Sequence, residues 1–266
     1  MAVTAADVKK LRDATGAGMM DAKRALEATE GDFDQAAQWL REKGIAKAAT
    51  RADRENTEGA VGAFLDRERG VATLVLLKCE TDFVANKADF VNLAHDLAAL
   101  VAESGESAVD QRKDEIDTMK ITLKENIEVG DVVRVDAEAG DVLDLYAHTA
   151  DGRVTNGIIV QLRDGGTVEQ AHSVGMHIAF AKPEFLTKEE IPAERIEAER
   201  ATYEAIARNE GKPDAAIPKI VEGRLNGFAK EVALLEQPYV RDEKQSIRQL
   251  LGGASVVRFA QVRIGR

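Results

Sequence analysis

The run Val71-Ala-Thr-Leu-Val-Leu-Leu77, continued through Lys78 to Cys79, is apolar at odd and even positions alike. Successive side chains of a strand point to opposite faces, so a run of this kind reads as a central strand buried on both sides. Gly59–Leu65 precedes it across the turn-like segment Asp66 to Gly70, giving a first pair of strands. A helix with Phe90, Leu93, Ala94, Leu97, Leu100 and Val101 on one face follows, and then a charged helix over about 110–126. The same order of elements returns farther on. Residues 131–136, 142–148 and 154–162 read as strands separated by Gly140, Asp151-Gly152 and Gly165-Gly166, and a helix over 167–182 ends before Pro183. Strands followed by helices, twice over, give an α+β core of two subdomains with antiparallel sheets, 55–128 and 129–266.

Two further parts flank this core. Residues 1–54 read as three short helices and a linker. Thr4 and Asp7 suit a helix start, Gly16 and Gly18 break the chain before a second helix from about Met20, and Asp32 and Gln35 have capping-box spacing ahead of a third. Phe33, Ala36, Ala37 and Leu40 form a one-sided stripe, and a bundle this small is expected to dock on a partner or on the core. In the second subdomain, about 187–236 interrupts the pattern: Pro192 suits a helix start, Asn209 to Pro213 a stop, and Val221, Leu225, Phe228, Val232 and Leu235 a stripe. This predicts a protruding helical hairpin, in which Gly223 and Gly227 would let another backbone approach. Such a hairpin packs on itself, on a second copy of the chain or on nothing, so a homodimer is among the partners it allows. A helix over 244–251 and a strand over 255–264 close the chain.

The formal charge of −11 argues against general nucleic-acid binding, which needs a basic surface to release phosphate counterions. Residues 1–54 carry ten Lys/Arg against nine Asp/Glu, so the acidity belongs to the body of the chain. The single cysteine, Cys79, forbids an intrachain disulfide and fits a reducing compartment. The start lacks a basic segment followed by an apolar one, and no stretch is long enough to span a membrane, so a cytoplasmic protein is expected. No catalytic constellation, cofactor motif or phosphate loop stands out, which predicts a protein that is not an enzyme and carries no cofactor. His172 and His177 are five apart and therefore point from different faces of a helix, which does not suit a shared metal. Cys79, closing an apolar strand, reads as a small core residue.

Two segments remain. Leu11 to Leu26 places Met19 and Met20 beside Gly16 and Gly18 at a helix start, either as an adaptable contact surface or as filling of a small core. Thr81-Asp82-Phe83-Val84 lies between the central strand and a helix. There Phe83 is either an exposed wedge or a staple on the helix, and the residues by themselves favour the staple.

At these two segments the chain resembles the elongation factor Ts family. The family's L-R-x-x-T-G-x-G-M run leading to K-x-A-L stands at Leu11 to Leu26, with Thr15, Gly16, Gly18, Met19, Lys23 and Leu26 in place. Its T-D-F-V element is Thr81 to Val84, and further agreement lies at Lys182 to Phe185, Gly211 to Pro213, Val221 to Arg224 and Gln237-Pro238. The resemblance implies a ubiquitin-associated-like N-terminal domain that docks on the GTPase domain of elongation factor Tu, and a core that reaches this domain and the third. It implies that Thr81, Asp82, Phe83 and Val84 form the element that disturbs the magnesium site of Tu. Leu11, Gly16, Gly18, Met19, Met20 and His148 are implied as further contacts. Thr149 follows His148 where many relatives have Gly, a departure that bears on the local loop. The sequence ends at Arg266, so no contact by the C-terminal helical extension of some relatives is expected.

The function implied is guanine nucleotide exchange in translation elongation, with elongation factor Tu as partner in its GDP-bound and nucleotide-free states. The rival is a ubiquitin-associated-type peptide-binding adaptor using residues 1–50, which leaves 81–84 without a role.

Overall fold

The computed structural model describes residues 3–51 and 53–265; Met1, Ala2, Ala52 and Arg266, which the expected domain ranges include, lie outside them. Three helices come first: α1 (Ala5–Thr15), α2 (Met19–Ala28) and α3 (Phe33–Ala49). Thr4 caps α1, its hydroxyl accepting from the Asp7 N–H while the Asp7 carboxylate accepts from the Thr4 N–H, and Asp32 likewise accepts from the Gln35 N–H at 2.9 Å. Val8, Leu11, Ala22, Ala25, Leu26 and Ala36 form a small core of their own. The module rests on the body through α3: a Cβ on Gly44 would lie 2.6 Å from Ile121 Cγ2, and Arg41 pairs with Asp114 at 3.5 Å.

The body is four layers thick. β1 (Glu58–Asp66), β2 (Val71–Cys79) and β3 (Glu128–Asp136) make one antiparallel sheet with β2 in the middle. After α4 (Asp82–Ala85), the helices α5 (Ala88–Ser104) and α6 (Lys113–Leu123) cover its outer face, where Val75, Leu77 and Cys79 meet Phe90, Leu93, Leu97 and Ile116. The second antiparallel sheet has β5 (Arg153–Arg163) between β4 (Val142–Ala150) and β8 (Ser255–Arg263). Its inner face meets the first sheet through Leu74, Leu76, Val135, Leu143, Ile159 and Val262. Its outer face meets α7 (Val168–Ala181) and α10 (Ile247–Leu251) through Ile158, Val160, Leu162, Val174 and Ile178. β2 is thus apolar on both faces because helices lie on one side and a second sheet on the other. The sheets approach closely at Gly157, where a Cβ would stand 2.5 Å from Leu74 Cδ2.

Three expectations need correction. β3 pairs with β2, so the sheets divide after Asp136 and not at 128/129; a register shift between Val75 and Leu77 lets β3 begin at Glu128. A small hairpin, β6 (Pro238–Tyr239) with β7 (Asp242–Ser246), occupies part of the expected helix over 244–251, leaving only α10 helical. The protruding pair is α8 (Ala193–Asn209) and α9 (Ile217–Val232), joined through Tyr203, Ala207, Ile217 and Val221, but Gly223 and Gly227 face open space. The glycines therefore do not mediate the α8–α9 contact.

The root of this hairpin is fixed by a buried polar chain. His177 on α7 accepts the Val240 N–H at Nδ1 (3.3 Å), so Nε2 bears the proton and faces Gln237 Oε1 at 2.8 Å; Gln237 in turn donates to the Glu231 carbonyl at 2.7 Å. Burial holds the imidazole below its ordinary 6.5, against a smaller opposing effect of Gln237. The unfolded chain therefore binds this proton first as the pH falls. The contribution of His177 is intact above about pH 6.5 and is lost as the pH drops from there toward the lowered folded value. Melting temperature is expected to fall between about pH 7 and pH 5, and less steeply in His177→Gln. Equal slopes would show that this imidazole is not the group responsible.

Candidate functional site

α4 is only four residues long, too short to persist by itself, so its pose comes from what holds it. Thr81 caps it, with its hydroxyl 3.4 Å from the Val84 N–H. Val84 and Ala85 are buried in the core beneath α5. Asp82 and Phe83 point away, and Phe83 is 83% exposed, the largest value among the exposed large apolar residues described, against 4% for Val84. Phe83 is therefore exposed and is not a staple on the helix: the turn seats Val84 inward and leaves the ring outside.

The element is held from three directions. The Cys79 thiol donates to the Thr81 carbonyl at 3.2 Å, and burial, with the Glu125 carboxylate adding to it, pushes that thiol up to about 12. Cys79 is therefore a buried donor beneath the turn and not a thiolate nucleophile. Glu125, following α6, accepts from the backbone N–H groups of Glu80 and Thr81, both at 3.1 Å, and from the Thr81 hydroxyl at 2.5 Å. At the other end, the buried Arg153 reaches across from the β4–β5 hairpin to Asn86 Oδ1, and also donates to the Gly59 carbonyl at 2.8 Å and to Glu58 at 2.9 Å.

Arg153 ties α4 to the hairpin that carries His148. His148 is exposed on β4 opposite Asn156, and the strand register breaks between His148 and Thr149, at the position where the sequence departs from many relatives. Asn156 also contacts the Ala179 carbonyl, so this end of the second sheet adjoins the end of α7, where Phe180 is 74% exposed. Helical spacing places Phe180 outside the Ala171, Val174, Ile178 stripe, and that is the signal the sequence holds for its exposure.

The N-terminal residues stand apart, on their own module. Met19 and Met20 are 48% and 63% exposed at the start of α2, behind Gly18 at the N-cap. Gly16 ends α1 at φ 66°, and a Cβ there would lie 3.0 Å from Thr122 Cγ2 on α6. Leu11 is wholly buried in the module and serves its shape, as Val84 serves the core below the wedge. Among the described residues no group of three His, Cys, Asp or Glu is arranged to hold a metal, and no helix is long and apolar enough to cross a membrane.

The family model for elongation factor Ts matches residues 80–266, a span that holds α4, Glu125, Arg153 and His148. Similarity to curated proteins extends over the N-terminal module too. Proteins named elongation factor Ts from Clavibacter sepedonicus and Streptomyces coelicolor are 44% and 41% identical, with 98% of each chain covered in both cases. One of that name from Cutibacterium acnes is 40% identical over the full length of both chains. The chain belongs to the elongation factor Ts family. Membership in the elongation factor Ts family covers both sequence signatures, the one on the separate module and the one on the body.

Proposed function

We propose that the protein is a guanine nucleotide exchange factor that binds elongation factor Tu, disturbs its magnesium site with Asp82 and Phe83, and so releases GDP. The observation that carries the reading is the exposed Phe83 ring on a helix whose next two residues are core. A large apolar side chain held in water by a fixed backbone is poised to be buried in a partner.

The mechanism is one of coupled binding. Mg²⁺ demands near-octahedral oxygen ligands and, in GTPases, bridges protein and nucleotide phosphates. A wedge that shifts a helix carrying part of that shell weakens the metal and with it the nucleotide. Coupling is reciprocal, so nucleotide weakens the factor's hold by the same ratio, and incoming GTP displaces it. No covalent bond is made or broken. A peptide-binding adaptor built on residues 1–50 gives Phe83 no task.

The two exposed surfaces divide the work. Met19 and Met20, flexible and apolar, suit docking, whereas the wedge acts on the bound complex. Release of fluorescent GDP from Tu, followed against increasing concentration of the full chain and of a chain starting at Glu55, tests both. The full chain is expected to accelerate release. The shortened chain is expected to reach a similar maximal rate while needing about ten-fold more protein or beyond, because docking surface is lost and the wedge is kept. No acceleration by the full chain rejects exchange; an unchanged half-saturating concentration rejects the docking role of the module.

A further inference from the structure

The wedge helix is too short to orient itself, yet its exposed ring must be presented in one pose to displace a helix of a partner. We propose that Glu125 is a positioning residue for GDP release, setting that pose through the backbone of Glu80 and Thr81 and the Thr81 hydroxyl. This inference rests on the exchange reading above and names a residue that lies outside both sequence signatures.

The bonding is specific. One carboxylate oxygen takes two successive N–H groups at 3.1 Å, and the other takes the Thr81 hydroxyl at 2.5 Å. That hydroxyl is the cap of α4, so Glu125 fixes the residue that starts the helix. The exchange is mutual: Glu80 Oε1 accepts the Asn126 N–H at 2.6 Å, the residue next to Glu125. Glu80 Oε2 meets Arg54 of the linker at 3.2 Å, and the Asn126 side chain donates to the Arg54 carbonyl at 3.0 Å. Linker, α6 exit and wedge entry therefore form one joint. Charge-assisted hydrogen bonds to paired backbone N–H groups are strong and directional, which suits a carboxylate to this task.

Removing the carboxylate leaves Val84 and Ala85 in the core, so the segment stays attached while its entry loses the three bonds to Glu125 and keeps only those of Cys79 and Glu80. The loss is expected in the maximal rate and not in docking, since the docking surfaces lie elsewhere. For Glu125→Ala at saturating concentration, release of fluorescent GDP from Tu is expected to slow about ten-fold, with the half-saturating concentration within about two-fold of the parent. Glu125→Gln, which keeps an acceptor oxygen, is expected to recover part of the rate. Phe83→Ala is run beside them. If it slows release while Glu125→Ala does not, the positioning role is overturned and the exchange reading stands; if Phe83→Ala has no effect, both fall. A rise in half-saturating concentration at unchanged maximal rate also overturns the proposal. Should Glu125→Ala fail to fold, Thr81→Val removes the bonded hydroxyl at equal volume, and the same slowing is expected; an unchanged rate there overturns it.

Discussion

Phe83→Ala is expected to slow release of GDP from elongation factor Tu by about a hundred-fold at saturating factor, while leaving the factor's own stability within about 0.5 kcal/mol. A Phe ring buries roughly 150–250 Å² when enclosed, which at 25 cal/mol per Å² is worth about 4–6 kcal/mol. In the free protein almost none of that burial exists, because the ring is 83% exposed. On the proposed function, its value is realised only against the partner. A core phenylalanine such as Phe90, wholly buried under α5, would by contrast cost about 3–5 kcal/mol on the same change. Asp82→Ala is expected to act in the same direction more mildly, as Asp82 lies in the first turn of α4 and is exposed. Stopped-flow release of fluorescent GDP, beside a thermal melt of the variant alone, decides the matter. A large fall in melting temperature with normal release would return Phe83 to the core and end the wedge assignment.

Arg153→Ala is expected to be the most damaging single change away from the hydrophobic layers, costing about 3 kcal/mol of stability. Its guanidinium serves the Gly59 carbonyl, the Glu58 carboxylate and Asn86, all in the first half of the body, from a strand of the second sheet. Glu58 is partly exposed and can be rehydrated, so most of the loss comes from the buried carbonyl and the end of the wedge helix. Arg153→Lys should recover less than half, because an ammonium cannot address three acceptors with a planar fork. Urea unfolding of the two variants measures this; a loss below about 1 kcal/mol for alanine would show that the apolar layers alone unite the halves.

What the sequence made legible was local. The two-faced run at Val71–Cys79 demanded a covered central strand, and the caps at Thr4 and Asp32 announced their helices because each signal spans three or four residues. Partnership across the chain was not legible. Periodicity shows that 131–136 is a strand but not that it adds to β2, and nothing near Arg153 indicates that its bonds lie between 67 and 95 residues upstream. The same limit explains Glu125, whose acceptor role depends on where α6 ends. Within the two signatures, Leu11 and Val84 could not be separated from their exposed neighbours, since a motif preserves what shapes a surface along with what forms it. Gly223 and Gly227 have the spacing of a close helix contact, yet helical spacing alone does not say which face meets α8.

The strand order also dictates a timetable. β3 completes the first sheet once Asp136 has been made, and α5 and α6, which cover it, are already present by then. β5 is different: one neighbour, β4, directly precedes it, but the other, β8, pairs Asn156 with Arg263 and arrives only after both long helices of the protrusion. During synthesis, which runs from the N-terminal end, the wedge-bearing half can reach its final form while the second sheet still has an open edge on β5. Closing that edge brings β8 back across the whole segment that carries α7, α8, α9 and α10, which costs more loop-closure entropy than adding β3 to β2, and until then β5 presents an unpaired edge.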